Sequence, residues 1–371
     1  MTQRVGLDLH VVDGKFQGSR THVIELFSRV ISISPQIEFF VYLDKPQVLP
    51  AISAAFAAPN VHLVRMPSTG ALKRLYWDLP ALSRNCALDV IHTQYILPAP
   101  VRCRRVVTIH DILFVTHPEF FTSLFRVRQH LMLRNAVKRA DHIVTVSEFS
   151  KNKISEYYKI SGDRISVAYN GVDYQRFSVA TSDEAEILAR RKLVKGSYIL
   201  SVGRLEPRKN HETLIDAYAS LKGSPPPLVI IGQRDFGFDA IFEKSRKLRL
   251  SDRIRIIEDI SDNELPVLYR NASVFAYPTL AEGFGMPVIE AMASGVPVVT
   301  SNCTAIPEIT GTSCALLIDP LRADELTSAL ERLLYDTALR STLVRAAAER
   351  ARSLTWDEPA RALRSLYLSM R

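Results

Sequence analysis

Short apolar runs alternate with stretches of helical period along almost the whole 371-residue chain, and this alternation restricts the fold more than any other feature. Residues 5–9, 39–43, 61–66, 89–92, 106–109, 142–146 and 164–168 read as strands. Residues 21–33, 124–138 and 148–159 carry a helical pattern, the last behind Ser147, which is placed to cap it. The pattern then restarts. Strands are expected at 198–202, 228–231, 254–257, 274–277 and 298–300, with helices at 211–221, 238–248, 264–271, 287–293, 323–335 and 337–352. Strands that are apolar on both faces need cover on both faces, which points to parallel sheets sandwiched by helices. Two α/β halves result, each of ordinary domain size. Asn170-Gly171 is a turn pair at the end of the first half, and the polar stretch 178–186 reads as a linker region. Residues 355–368 are amphipathic and can return to the first half.

Composition removes several classes. At 47% hydrophobic and 23% charged residues, global disorder is excluded. No run approaches the roughly 18 apolar residues of a spanning helix. Residues 1–10 lack the pattern of a signal peptide and read as a first strand. Cys86, Cys103, Cys303 and Cys314 form no Cys-x-x-Cys pair, so neither a zinc site nor a disulfide framework is expected, and a reducing cytoplasm fits. The net charge is +8. Residues 1–172 hold 21 basic and 13 acidic residues, and the remaining 26 of each cancel, so the whole excess lies in the first half. Such a surface suits an anionic partner as well as plain solubility. Residues 124–138, with Arg126, Arg128, Arg134 and Lys138, read equally as a helix for an anionic membrane surface and as a packed helix with a basic outer face. No nucleic-acid motif is present, so no nucleic-acid partner is expected.

Parallel α/β sheets bind ligands at the carboxyl ends of their strands, so the loops there carry the chemistry. After 198–202, Arg204 and Lys209 precede a helix, which suits a diphosphate; a solvated basic loop is the plain alternative. After 274–277, Gly283, Phe284 and Gly285 allow close approach of backbone to ligand, Pro287 suits the first helical turn and Gly295 its end. Glu282 before that helix and Glu290 in its first turn can accept hydrogen bonds from sugar hydroxyls; alternatively they complement the helix dipole and pair with lysine or arginine. After 5–9, Gly18 lies in a loop that is not Gly-x-Gly-x-x-Gly, and His110 follows 106–109. His-Glu-x-x-His, Gly-x-x-x-x-Gly-Lys-Ser/Thr and Gly-x-Ser-x-Gly are all missing, which disfavours zincins, P-loop enzymes and α/β-hydrolases.

Together these segments resemble the retaining glycosyltransferases of family 4, over nearly the whole chain. The most specific segment runs from Glu282 to Glu290 and fits the family's Glu-x7-Glu motif. Supporting segments are 202–204 with 208–210, 146–151, 170–173, 306–308 and 355–357. One departure stands in the first loop, where two adjacent glycines are usual and Gln17-Gly18 is found. The resemblance implies a GT-B fold of two Rossmann-like α/β domains with parallel sheets facing across a cleft: 1–172 binding the acceptor, 173–354 binding a nucleotide-sugar, and 355–371 a helix crossing back. It implies transfer of a sugar, mannose first, from a GDP- or UDP-linked donor to a glycan or lipid-linked acceptor, with retention and with no metal or other cofactor. A UDP-dependent glucosyl- or N-acetylglucosaminyl-type transferase is the alternative; a non-catalytic membrane-associated binding protein is a further one. Arg204 and Lys209 would hold the diphosphate, Glu290 the ribose, Glu282 with the amides of Phe284 and Gly285 the sugar and its phosphate. His110 would orient the sugar, and Gly18 would let its loop close. Asp8 has no neighbouring carboxylate to make a metal pair. Retention is open to same-face attack or to double displacement through a carboxylate nucleophile. The expected location is cytoplasmic, peripheral at the inner membrane face.

Overall fold

The apolar runs pair side by side in parallel, in two separate sheets. In a computed structural model, which describes residues 2–13, 18–66 and 70–370, the first sheet contains β1 (Gln3–Asp8), β2 (Ile37–Leu43), β3 (Val61–Arg65), β4 (Val90–Gln94), β5 (Arg104–Thr108), β6 (His142–Thr145) and β7 (Ile165–Val167). Its order is β3-β2-β1-β4-β5-β6-β7. The second contains β8 (Ile199–Val202), β9 (Leu228–Ile231), β10 (Ile254–Ile257), β11 (Val274–Tyr277), β12 (Val298–Ser301) and β13 (Leu316–Ile318), ordered β10-β9-β8-β11-β12-β13. The paired strands are parallel, with Val5 opposite Val90 in the first sheet and Val274 opposite Ile199 in the second. Both sheets have the doubly wound order, which reverses direction once, at β1/β4 and at β8/β11. At such a point the chain departs to opposite faces and leaves a crevice beyond the strand ends.

Burial explains the absence of alternation: every residue of β4, β9, β11 and β12 is buried. Around the second sheet, Ile199, Leu214, Leu228, Ile230, Val274, Leu326 and Leu330 form a continuous core between sheet and helices. β13 and the helices Leu79–Asn85 and Glu184–Arg190 lie outside the expected elements. The second of these helices begins inside the stretch read as a linker. Glu184 there accepts from Arg270 Nε at 2.7 Å, so the stretch belongs to the second unit.

The chain divides into two compact units, Met1–Gly171 with Trp356–Arg371, and Val172–Thr355. The final helix, Asp357–Ser369, packs within the first unit on the helix Gly18–Ser32, where Arg29 pairs with Asp357. Its Tyr367 is fully buried and donates to or accepts from His92 Nδ1 at 2.6 Å. Ser147 caps the helix Glu148–Tyr158 by accepting from the Ser150 N–H at 3.1 Å. Among the described residues no helix is long and apolar enough to cross a membrane.

Candidate active site

In the second unit the two loops at the β8/β11 reversal are locked together by backbone geometry. Gly232, just after β9, runs against the loop after β8; a Cβ there would lie 1.9 Å from the Gly203 carbonyl oxygen, so only glycine fits. The loop then tightens into a turn at Pro207–Lys209, followed by Asn210 at φ 58°. The Asn210 amide donates to the carbonyls of Pro278 at 3.0 Å and Pro320 at 2.7 Å, holding this left-handed residue in place. The Leu280 N–H reaches the Arg208 carbonyl at 2.8 Å. Both cations of the turn, Arg208 and Lys209, are thereby presented to the loop after β11.

Glu282 is their focus. Its Oε1 accepts from Lys209 Nζ at 2.6 Å, from the Tyr277 hydroxyl at 2.7 Å and from Thr279 Oγ1 at 3.0 Å, and Arg208 Nη1 lies 3.0 Å away. Lys209 Nζ also donates to the Tyr277 hydroxyl at 2.7 Å, closing a triangle of lysine, phenol and carboxylate. Lys209 and Glu282 are each only 8% exposed, and at that burial an unpaired charge would be expensive. Burial alone would raise the Glu282 carboxyl, but Arg208 and Lys209 outweigh it and bring it down to about 2. Burial and then Arg208 hold Lys209 below the usual lysine range, with Glu282 pulling the other way.

Arg204 and Lys209, expected to hold one diphosphate, have different side-chain partners. The Arg204 guanidinium pairs with Asp235, whereas Lys209 and Arg208 share Glu282. The ion-pair alternative for Glu282 is thus realised. Glu290 sits one turn further along than expected, in the second turn of the helix Met286–Ala293, and it keeps different company. The Tyr269 hydroxyl donates to its Oε2 at 3.0 Å. Burial pushes the Glu290 carboxyl up to about 7, against the pull of Tyr269 and Arg176. Gly283 and Phe284 are buried in the intervening loop. Gly285 has φ 118°, and a Cβ there would come within 2.6 Å of Ile306 Cδ1. Both reasons demand glycine immediately before the helix. Gly295 ends that helix at φ 71°.

In the first unit, Gly18 is the first residue of its helix; Gly14, Lys15, Phe16 and Gln17 of the same loop lie outside the described residues. His110, two residues past β5, is 8% exposed, and its Nε2 meets Gln94 Oε1, at the end of β4, at 3.1 Å. The His22 ring stands edge-on to it, 4.6 Å between centroids. Burial, then His22 and His92, keep His110 well below the ordinary histidine range, so it is neutral at physiological pH. Asp8, fully buried at the end of β1, is held by His10 Nδ1 at 3.1 Å, with Arg74 4.0 Å away. Among the described residues no three His, Cys, Asp or Glu side chains come together as a metal-binding group.

Sequence reasoning assigned no role to Arg208, Tyr277 or Tyr269 around the two glutamates, or to His22, His92 and Gln94 around His110. Arg208 stood in the quoted 208–210 segment, but adjacent cations cannot be told apart without the turn that aims them.

Comparison with known proteins shows the family. The family described as "Glycosyl transferases group 1" matches residues 183–350, and "Glycosyltransferase Family 4" matches residues 17–176. The chain is 32% identical over 258 residues to O-antigen chain mannosyltransferase B of Escherichia coli, covering 68% of this chain and 67% of that protein. It is 32% identical over 195 residues to the O-antigen chain mannosyltransferase RfbU of Salmonella typhimurium, covering 53% of this chain. That match spans about half, 51%, of the Salmonella protein's length. Among solved structures, Anabaena HepE in complex with UDP and glucose superposes with a TM-score of 0.78 at 20% identity, over 99% of this chain and all of that one. The two doubly wound sheets are those of the GT-B fold, and the chain belongs to the retaining glycosyltransferases of family 4.

Proposed function

We propose that this chain transfers a sugar, mannose first, from a nucleotide-diphosphate sugar to a glycan or lipid-linked acceptor, with retention of configuration and without a metal ion. The observation that carries this reading is the buried group of Arg208, Lys209 and Glu282 at the β8/β11 reversal. Two cations held at low exposure are worth far more to a developing diphosphate charge than the same cations in water. Lys209, Arg208 and, from the rim, Arg204 supply that charge as the sugar–phosphate bond breaks. Glu290, half-buried on its helix, accepts from the ribose hydroxyls, and Glu282 with the Phe284 and Gly285 amides holds the sugar. His110, neutral, orients a sugar hydroxyl as a hydrogen-bonding group and not as a cation.

A carboxylate whose oxygen already accepts from lysine, tyrosine and threonine, and whose pKa is about 2, is a weak nucleophile. That supports same-face attack, in which the departing phosphate takes the acceptor's proton. Mannose is favoured by the names of the Escherichia and Salmonella relatives. A UDP-linked donor is the second reading, favoured by the UDP in the Anabaena structure. For the acceptor side, the helix Ser123–Arg139 exposes Leu124, Val127 and Leu131 together with Arg128, Arg134 and Lys138 on its outward positions, a combination that suits an anionic lipid surface from the cytoplasmic side. Arg126 is half-buried, and its Nε is enclosed, so it is not part of that face.

A thermal-shift series with GDP, UDP, GDP-mannose and UDP-glucose, with and without EDTA, tests the donor. A ligand at 100 times its Kd stabilises by about 2.7 kcal/mol. A shift with one nucleotide, unaffected by EDTA, is expected. No shift with any of the four would remove the donor site, and a shift abolished by EDTA would remove metal independence.

A further inference from the structure

His22 is fully buried on the helix Gly18–Ser32 and touches three things at once. Its Nδ1 lies 2.6 Å from Asn170 Oδ1, its ring stands edge-on to His110 at 4.6 Å, and it meets the Trp356 ring at 5.9 Å. An amide oxygen only accepts, so His22 carries its proton on Nδ1, and its buried Nε2 has no hydrogen-bond partner among the described residues. Asn170 and Trp356 are not arbitrary neighbours. The chain leaves the first unit after Gly171 and re-enters it at Trp356. Immediately beyond, in the second unit, the Val172 N–H donates to the Leu354 carbonyl at 2.9 Å, so the outgoing and returning segments are bonded to each other.

We propose that His22 is a positioning residue that fixes the plane of the His110 ring and anchors it to both points where the chain passes between the units. Gln94 holds His110 at Nε2, which leaves Nδ1 to carry the lone pair. His22 prevents rotation about that single hydrogen bond. A shift of the outgoing or returning segment is passed through Asn170 or Trp356 to the His22 ring, and from it to His110. The arrangement therefore ties the angle of the sugar-orienting histidine to the state of the two connections. This inference rests on the proposed role of His110 at the donor sugar.

The test uses the full chain, with His22→Phe, which keeps a ring but loses the Nδ1 bond, and Asn170→Ala, which leaves His22 and His110 in place. Asn170→Asp, which keeps an accepting oxygen, is the conservative rescue. Hydrolysis of GDP-mannose and UDP-glucose is followed, together with the ring signals of His110 in histidine-labelled protein. Expected are a fall in kcat of tenfold or more in His22→Phe and Asn170→Ala with the donor KM within twofold, displaced or broadened His110 signals in Asn170→Ala, and kcat within threefold of wild type in Asn170→Asp. If wild type hydrolyses neither donor, the proposed function fails, and the His110 signals decide the inference alone. Signals in Asn170→Ala coincident with wild type, or kcat within twofold of wild type in both His22→Phe and Asn170→Ala, would overturn it.

Discussion

At the ends of β8 and β11 in the second unit, two cations converge on one carboxylate oxygen. At the ends of β4 and β5 in the first unit, His110 sits among His22, Gln94 and Tyr95, with His92 near enough to lower its pKa further. Both places are the natural binding edge of a doubly wound sheet, yet one brings cations onto a carboxylate and the other gathers neutral histidines. The fold supplies the position, and the residues decide its chemistry: in the proposed function the first place takes a charged leaving group and the second an uncharged hydroxyl. Part of the basic surplus of the first half is carried on the exposed positions of the helix Ser123–Arg139.

The largest expected effect lies in the charged site. Lys209→Met should lower kcat/KM by about 10²–10³-fold, the scale of removing one preorganised stabiliser of transition-state charge. Arg204→Ala should cost roughly tenfold, because its guanidinium is 30% exposed and paired with Asp235 outside the buried group. Steady-state kinetics with the better donor will order them. A larger loss for Arg204 than for Lys209 would move the diphosphate to the rim.

The contrast should next appear in acid. His22 and His92 are lowered by burial to about 4 and about 3. Below the unfolded value near 6.5 the unfolded chain binds protons that the folded rings do not. His211 of the second unit, lowered to about 4, acts the same way, but the first unit holds more such rings and therefore loses more stability as pH falls from about 6.5 towards 4. Glu282, lowered to about 2, gives stability that is complete above about 4.5 and is lost progressively as pH falls from about 4.5 through 2. The two tryptophans, Trp77 and Trp356, are both in the first unit, so their fluorescence reports it alone. Fluorescence should change at a higher pH than the circular dichroism of the rest, and His92→Gln should flatten the early slope. Coincident transitions would erase the comparison.

A smaller effect separates the two glutamates. Glu290, raised to about 7, is stabilised in its protonated form by folding. Stability is thus lost as pH rises from about 4.5 through 7, the reverse of Glu282. Glu290→Gln should raise Tm at pH 8 by a few degrees while weakening nucleotide binding. An unchanged or lower Tm at pH 8 would show that its carboxylate is well solvated. The smallest effect belongs to the outer face of Ser123–Arg139. Reversing Arg128, Arg134 and Lys138 to Glu should weaken binding to phosphatidylserine-containing vesicles by about 1 kcal/mol per cation lost, with donor binding unchanged. Vesicle binding equal to wild type would make this an ordinary packed helix.

Much of this was legible in the chain. Strands buried on both faces announce themselves as unbroken apolar runs, and Gly285, Pro287 and Gly295 carry their local geometry in their residue types. What escaped was pairing at a distance. Nothing in the spacing tells that Lys209 turns to Glu282, 73 residues away, while Arg204 turns to Asp235. That choice is made by the turn at Pro207–Lys209 and by the left-handed Asn210, whose side chain bonds to two other loops. His22 and His92 escaped for another reason. A buried histidine on a helix or strand has the same sequence appearance as a structural one, and only its neighbours give it meaning. The short β13 was hidden because Leu316–Ile318 offers three residues of signal.

The central claim is that Arg208 and Lys209, gathered on Glu282, form the donor's diphosphate site, and calorimetric titration of GDP and UDP into three proteins tests it most directly. Wild type should bind one of the two nucleotides, and His110→Phe should bind it with a Kd within twofold. Lys209→Met should bind it at least tenfold more weakly, a loss of about 1.4 kcal/mol. Equal affinity in wild type and Lys209→Met, or a loss confined to His110→Phe, would contradict the account.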